Sequence, residues 1–174
     1  MKNFTLLLLF FCTSALHASQ KVAPNFILPN IYTHESVSLD AQKGKVILVD
    51  FWASWCGPCQ VSLPEYDLLR KDIHARYGVE SFEVFAINVD VTEAEALIFL
   101  KSKSLSFPIL RSNNGSTQQA YELIGLPSSF LIDQQGNIIV AHQGFEPGFQ
   151  DHLRTEIDKL LVDTSTQIQP HKHR

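Results

Sequence analysis

The sequence predicts an α/β protein with a mixed central sheet flanked by helices, and three observations predict it. Val46–Trp52 and Phe82–Val89 are β-branched, apolar and continuous, as central strands buried on both faces should be. Stretches near them carry apolar residues at three- and four-residue steps, the pattern of a helix packed by one face. Later, two strand-like runs flank Asp133-Gln134-Gln135-Gly136, a hairpin signal. A strand–helix–strand unit pairs its strands in parallel through a crossover, and a hairpin adds antiparallel ones, so the sheet is mixed.

The elements follow in order. Phe26-Ile27-Leu28 between Pro24 and Pro29 reads as a short edge strand, and Ser36–Leu39 alternates and can be its partner. Gln42–Lys45 is a turn before the first central strand. A helix starts at or just after Cys56 and runs to about Tyr77, with Tyr66, Leu69, Ile73 and Tyr77 on one face and Gly78 as a stop signal. Pro64 inside it predicts a kink. Thr92-Glu93-Ala94-Glu95 is a capping-box pattern and opens a helix to about Lys103. Phe107–Leu110 is a short extended piece, and Ser116–Ile124 a short helix closed by Gly125. Ser128–Ile132 and Asn137–His142 form the late hairpin. Pro147 begins a last helix with Phe149, Leu153, Ile157 and Leu160 on one face.

Composition and the chain ends bound the function classes. The 174 residues, 45% hydrophobic and 18% charged, suit one globular domain with appendages and exclude a disordered chain or a polytopic membrane protein. A net charge of -4 provides no basic face for nucleic acid. Met1-Lys2-Asn3, the apolar run Leu6–Cys12 and the small residues up to Ala18 have the layout of a secretory signal peptide. The expected organisation is therefore a leader over 1–18, a domain over 19–162 and a flexible polar tail over 163–174. Cleavage after Ala18 also removes Cys12, a poor lipidation site behind Phe10 and Phe11, so two cysteines reach an exported compartment such as the periplasm. Left uncleaved, the leader would be a membrane tether.

Those two are Cys56 and Cys59, in Trp55-Cys56-Gly57-Pro58-Cys59 at a helix start. The first sulfur sits near unsatisfied N–H groups and the positive end of the helix dipole, which favour thiolate over thiol. The second lies about one turn on and can close a disulfide with it, so the pair can exchange with other disulfides through a mixed intermediate. Two bland readings compete. A structural disulfide closing so short a loop would constrain almost nothing. A zinc site needs about four ligands, and His74, His142, His171 and His173 have no compelling spacing. Asp50 supports the redox reading. Alternation puts it with Val46, Leu48 and Trp52 on one side of the strand, away from Ile47, Val49 and Phe51. A carboxylate on an apolar side is costly when ionised, so its pKa should rise, which suits a proton relay.

Val49–Cys59 resembles the active-site strand and helix start of thioredoxins. With Lys43-Gly44-Lys45-Val46, Pro64, Phe107-Pro108 and Gly125-Leu126-Pro127-Ser128-Ser129-Phe130-Leu131-Ile132-Asp133, the pattern looks like the exported TlpA/ResA/DsbE-type branch. The resemblance runs from about Pro24 to Leu161. It implies a thioredoxin fold with an N-terminal β-hairpin and a central insertion around the Thr92 helix. It implies a cis Leu126–Pro127 peptide facing the disulfide, whose Leu126 backbone can pair with an extended substrate, with Trp55 and Pro127 cradling the mixed disulfide. Cys56, Cys59 and Asp50 are then the catalytic residues, and Gly57 and Pro58 tune the potential. Two departures stand out: many exported members have Glu where this chain has Ser62, and several have Asn where it has Asp50. Gln60 stands where thioredoxins often have Lys.

The resulting expectation is a thiol-disulfide oxidoreductase, most simply a reductase, with no metal and no cofactor beyond its own dithiol. Its partners would be exported proteins with disulfides, apocytochrome c among the candidates, and a membrane thiol-disulfide electron donor. It would work as a monomer. An oxidase or isomerase using the same residues, and a copper carrier using the pair plus a histidine, remain open alternatives.

Overall fold

The computed structural model describes residues 21–167. The expected leader with Cys12, and the tail histidines His171 and His173, lie outside the described residues.

Seven strands and four α-helices are present among the described residues. An antiparallel hairpin of β1 (Ile27–Pro29) and β2 (Ser36–Ser38) comes first. Then come β3 (Val46–Trp52), α1 (Gly57–Tyr77), β4 (Phe82–Asn88), α2 (Glu93–Leu100) and β5 (Ile109–Arg111). The chain closes with α3 (Ser116–Ala120), β6 (Ser128–Ile132), β7 (Ile138–Gln143) and α4 (Phe149–Gln167). The main sheet has the order β5-β4-β3-β6-β7, with β3 parallel to β4 and antiparallel to β6. This is the expected mixed α/β architecture, with its N-terminal hairpin and the Thr92 helix in place.

β3 is the middle strand, and all seven of its residues are buried. Its alternation divides the core in two. Val46, Leu48 and Trp52 pack with Leu63, Leu69 and Ile73 of α1 and with Leu153 and Ile157 of α4. Ile47, Val49 and Phe51 pack with Phe26, Leu28 and Leu39 from the hairpin region and with Tyr121 after α3. The second face is thus covered by the hairpin as much as by a helix. The hairpin also closes the outer edge of β5, where the Ile31 N–H donates to the Ile109 carbonyl at 2.8 Å, satisfying a strand edge that would otherwise stay open.

Several element ends differ from those expected. β4 stops at Asn88 because the Asn88 side chain accepts the Asp90 N–H at 3.2 Å and turns the chain. The capping box at Thr92 forms as predicted, but α2 ends at Leu100 rather than near Lys103. α3 spans only Ser116–Ala120, because Glu122 takes a left-handed φ of 54° that no helix continues through. α4 begins at Phe149 and runs on to Gln167, into the segment read as tail. α1 passes through Pro64 as one helix. The turn before β7 is held by Asp133, whose carboxylate accepts the N–H groups of Gln135 at 3.0 Å and Asn137 at 2.8 Å.

α1 is pinned to the sheet by polar contacts as well as by its apolar face. Arg70 forks onto Glu83 of β4 through Nε at 2.5 Å and Nη2 at 2.8 Å. Asp67 accepts the Ser106 N–H at 2.7 Å and the Ser106 hydroxyl at 2.6 Å. His74, one of the residues weighed as a zinc ligand, instead pairs its Nε2 with the Phe82 carbonyl at 2.7 Å.

Adjacent leucines on α1 provide a test of this packing. Leu69 is 1% exposed and Leu68 is 66% exposed. Leu69→Ala is expected to lower unfolding free energy by about 2–5 kcal/mol, and Leu68→Ala by no more than about 0.5 kcal/mol, in parallel urea titrations.

Candidate active site

The site grows from the junction of β3 and α1. The strand ends at Trp52, and the chain turns as the Cys56 N–H donates to the Ala53 carbonyl at 3.1 Å. Cys56 is the N-cap of α1, with extended φ and ψ of -82° and 99°. Its Sγ accepts the Cys59 N–H at 3.2 Å, the bond a Ser or Asp makes at this position. Cys56 and Cys59 form a disulfide. Pro58, in the first turn of α1, lacks an N–H where none is needed. Once the pair is reduced, the Cys59 N–H and the helix dipole both favour negative charge on Cys56. Cys59 is fully buried, Cys56 nearly so, and the neighbouring Trp55 is 68% exposed.

A buried polar network holds the turn that carries Trp55 and Cys56. The Asp90 carboxylate accepts the Ser54 N–H at 3.1 Å on each oxygen, the Ser54 hydroxyl at 3.1 Å and Asn88 Nδ2 at 2.8 Å. Arg111 completes it, donating to Asn88 Oδ1 at 3.2 Å and to the Val91 carbonyl at 3.0 Å. Asn88, Asp90 and Arg111 are all buried. Gln60 adds a further tie, its Nε2 donating to the Ser54 carbonyl at 3.0 Å. Sequence reasoning singled out none of Ser54, Asn88, Asp90 and Arg111. The available signal was a charged residue at each end of an otherwise apolar strand context, Asp90 just past β4 and Arg111 closing β5.

Asp50 lies three residues before the turn and is fully buried. Burial pushes its carboxyl up to about 7, against the opposing pull of the Ser129 hydroxyl. That hydroxyl donates to Asp50 Oδ1 at 2.7 Å, while Oδ2 has no hydrogen-bond partner among the described residues. Ser129 Oγ also lies 2.9 Å from the Tyr66 hydroxyl. Tyr66 is itself held neutral, first by burial and then by the nearby Asp50 charge. The raised carboxyl matches the expectation drawn from its strand position. The link to Ser129 and Tyr66 is not legible in the helical spacing of Tyr66, which marks it only as part of the helix's apolar face.

The register of β6 brings the second loop to the same place. Ser128 pairs with Phe51 across the antiparallel ladder, so Pro127 and Leu126 continue to the level of Trp52 and Ala53. The Leu126–Pro127 peptide is cis, as the resemblance implied. Leu126 packs against both halves of the core. Its backbone N–H and carbonyl have no hydrogen-bond partner among the described residues. The structure therefore gathers Trp55, Cys56, Cys59, Leu126 and Pro127 at one end of the sheet, with Gly57 and Pro58 in the first helical turn and Asp50 beneath. Among the described residues no group of three or more His, Cys, Asp or Glu is arranged to hold a metal ion.

The chain is similar to known proteins in sequence and fold. The Redoxin family profile matches residues 17–159. Thiol-disulfide oxidoreductase ResA of Bacillus thuringiensis subsp. konkukian is 30% identical over 142 residues, covering 82% of this chain and 79% of that protein. ResA of Halalkalibacterium halodurans is 29% identical over 152 residues, covering 87% and 82%. Among solved structures, a protein of Chlorobium tepidum assigned as thiol:disulfide interchange protein DsbE superposes with a TM-score of 0.72 at 35% identity, over 82% of this chain and 96% of that one. StoA of Bacillus subtilis superposes with a TM-score of 0.62 at 26% identity, over 77% and 96%.

Asp50 makes folding stability depend on pH in a predictable sense. Its folded-state carboxyl is raised from 3.8 to about 7, so the folded protein holds the proton more tightly than the unfolded chain. The associated stability is fully present below about pH 4 and is lost as pH rises through 7. At about 1.4 kcal/mol per pH unit, the oxidised wild-type protein should lose up to about 4 kcal/mol across that window relative to Asp50→Asn. Parallel denaturant titrations at pH 4 and pH 8.5 measure the difference; a constant gap between the two proteins would refute it.

Proposed function

Because this chain belongs to the Redoxin family and is a thiol-disulfide oxidoreductase of the ResA/DsbE type, we propose that it runs in the reducing direction and cleaves disulfides in exported proteins. The observation that carries the reading is the placement of Cys56 as the N-cap of α1, with Cys59 buried behind it and Gly57-Pro58 between them. Gly-Pro is the dipeptide of strongly reducing thioredoxins, near about -270 mV. More oxidising relatives carry a far more acidic first thiol.

The cycle has two exchanges. In the reduced protein, Cys56 thiolate attacks a substrate disulfide, forming a bond to one substrate sulfur and releasing the other as thiolate. Trp55 and the Leu126–Pro127 turn hold the resulting mixed disulfide, and the unpaired backbone of Leu126 suits an extended substrate strand. Cys59 then gives its proton to Asp50 and attacks Cys56. The Cys56–Cys59 bond forms, the bond to substrate breaks, and the pair of electrons leaves on the second substrate thiolate. A membrane thiol-disulfide donor would re-reduce the pair, in keeping with a sequence in which no nicotinamide or flavin fingerprint is visible.

Export rests on the secretory pattern of residues 1–18 and places the reaction in the periplasm or an equivalent compartment, with the protein acting as a monomer. No described helix is long and apolar enough to cross a membrane. Ser62, where many exported members have Glu, and Asp50, where several have Asn, weigh against a role confined to cytochrome c maturation.

Cys59→Ser should accumulate mixed disulfides with exported partners, and Cys56→Ser should not; the reverse pattern would exchange the two assigned roles. Equilibration of the purified protein with glutathione should place its potential below about -200 mV, and a higher value would mean an oxidase or isomerase.

A further inference from the structure

A base buried in the middle of a sheet has a second problem after it has taken a proton: it must release it before the next turnover. Asp50 is fully buried and has no direct access to water. We propose that Ser129 and Tyr66 form the route by which the proton accepted from Cys59 leaves Asp50 for the cleft beside Pro127. The inference rests on the cycle above and adds two positioning residues that act through Asp50.

Three observations carry it. First, the hydroxyls form a continuous chain from the carboxylate, 2.7 Å from Ser129 Oγ to Asp50 Oδ1 and 2.9 Å from Ser129 Oγ to the Tyr66 hydroxyl, both within the range of O–H···O bonds. Second, the chain leads outward. Tyr66 borders a cleft together with Ser62, Glu65, Pro127, Phe149 and Gln150, so the chain of hydroxyls reaches a surface cleft that the cis proline also lines. Gln150, in the same cleft, has a buried Oε1 with no partner among the described residues, which makes that end of the path polar. Third, Oδ2 has no partner among the described residues, so the Ser129 hydroxyl is the one hydrogen-bonded exit they give the carboxyl.

The transfer balances. Protonated Asp50 donates to Ser129 Oγ, Ser129 donates to the Tyr66 oxygen, and Tyr66 donates to water in the cleft. Afterwards each hydroxyl has lost one proton and gained another, Tyr66 donates to Ser129, Ser129 donates to Asp50, and Asp50 is a carboxylate again. Few other groups can disturb it. Across the ladders Asp50 faces Ala86 of β4 and Ser129 of β6. The titratable groups on the α1 side are Tyr66 and Cys59, with Glu65 acting on Tyr66, and α4 contributes Leu153 and Ile157 to this half of the core.

The experiment follows Asp50 directly. The oxidised protein is jumped from pH 5 to pH 9, and the loss of the Asp50 carboxylic-acid infrared band, assigned by its absence in Asp50→Asn, is timed. Tyr66→Phe keeps the ring and the Ser129 donor, so the band's equilibrium midpoint should stay in place while its loss slows by about tenfold or more, a modest share of a general-base contribution. Ser129→Ala should slow the loss and also move the midpoint upward, because the donor that lowers the Asp50 pKa is gone; Ser129→Thr should reverse both changes. Steady-state disulfide cleavage should fall in Tyr66→Phe while the alkylation rate of reduced Cys56 is unchanged. An unslowed band in Tyr66→Phe, or a shifted midpoint without slowing, overturns the route. If the wild-type protein fails to cleave disulfides at all, the reductase cycle is wrong, and the infrared measurement still reports on the route independently.

Discussion

A helix terminus can hold a thiolate only if it is held still, and everything in this protein serves the junction between β3 and α1. The N–H groups at the start of α1 act on Cys56 over a few ångströms, and their effect falls away within a turn. Small displacements of the helix start would therefore change the chemistry. Rigidity comes from both sides of the junction. β3 is the central strand, paired on both edges and packed on both faces. α1 is clamped along its length by its apolar face, by the Arg70–Glu83 fork and by the Asp67–Ser106 bonds. Between them the turn itself is tied by Asp90, which takes the Ser54 N–H and hydroxyl and is backed by Asn88 and Arg111.

The same packing that steadies the helix isolates Asp50. An ionised carboxylate in that position forgoes hydration, and one hydroxyl does not replace it. The protein accepts this cost next to the dithiol and nowhere else in β3, whose other six residues are apolar. The burial that weakens the fold at high pH is also what brings the carboxyl close to neutrality. The proposed hydroxyl path through Ser129 and Tyr66 follows from the same burial, because a carboxyl cut off from water needs a way to exchange its proton.

Much of this was legible in the chain. Val46–Trp52 reads as a buried strand because it has no polar break except Asp50, and the exception is itself the clue. Helical spacing of Tyr66, Leu69 and Ile73 located the face of α1. Errors fell where tertiary contacts overrule local pattern. α3 stops short because Glu122 adopts a left-handed conformation after Tyr121 turns into the core, and no local propensity announces it. The Asn88–Asp90–Arg111 network joins residues from two strands and a loop, and its members look like ordinary strand ends when read singly. Tyr66 presents the same difficulty: its spacing marks it as core, while its hydroxyl finds Ser129, 63 residues away.

The sequence by itself determined the mixed α/β class, the dithiol at a helix start, and a carboxylate placed where ionisation is expensive. Those follow from periodicity, from cysteine spacing and from the cost of burying charge, all of which act along the chain. What meets the dithiol and the buried carboxyl was settled by contacts between distant segments. The register of β6 against β3 sets Leu126–Pro127 at the level of the Cys56 turn and Ser129 opposite Asp50. A register is a relation between two distant segments, settled by the packing of both faces at once, and a one-residue slip would have turned Ser129 away from the carboxylate.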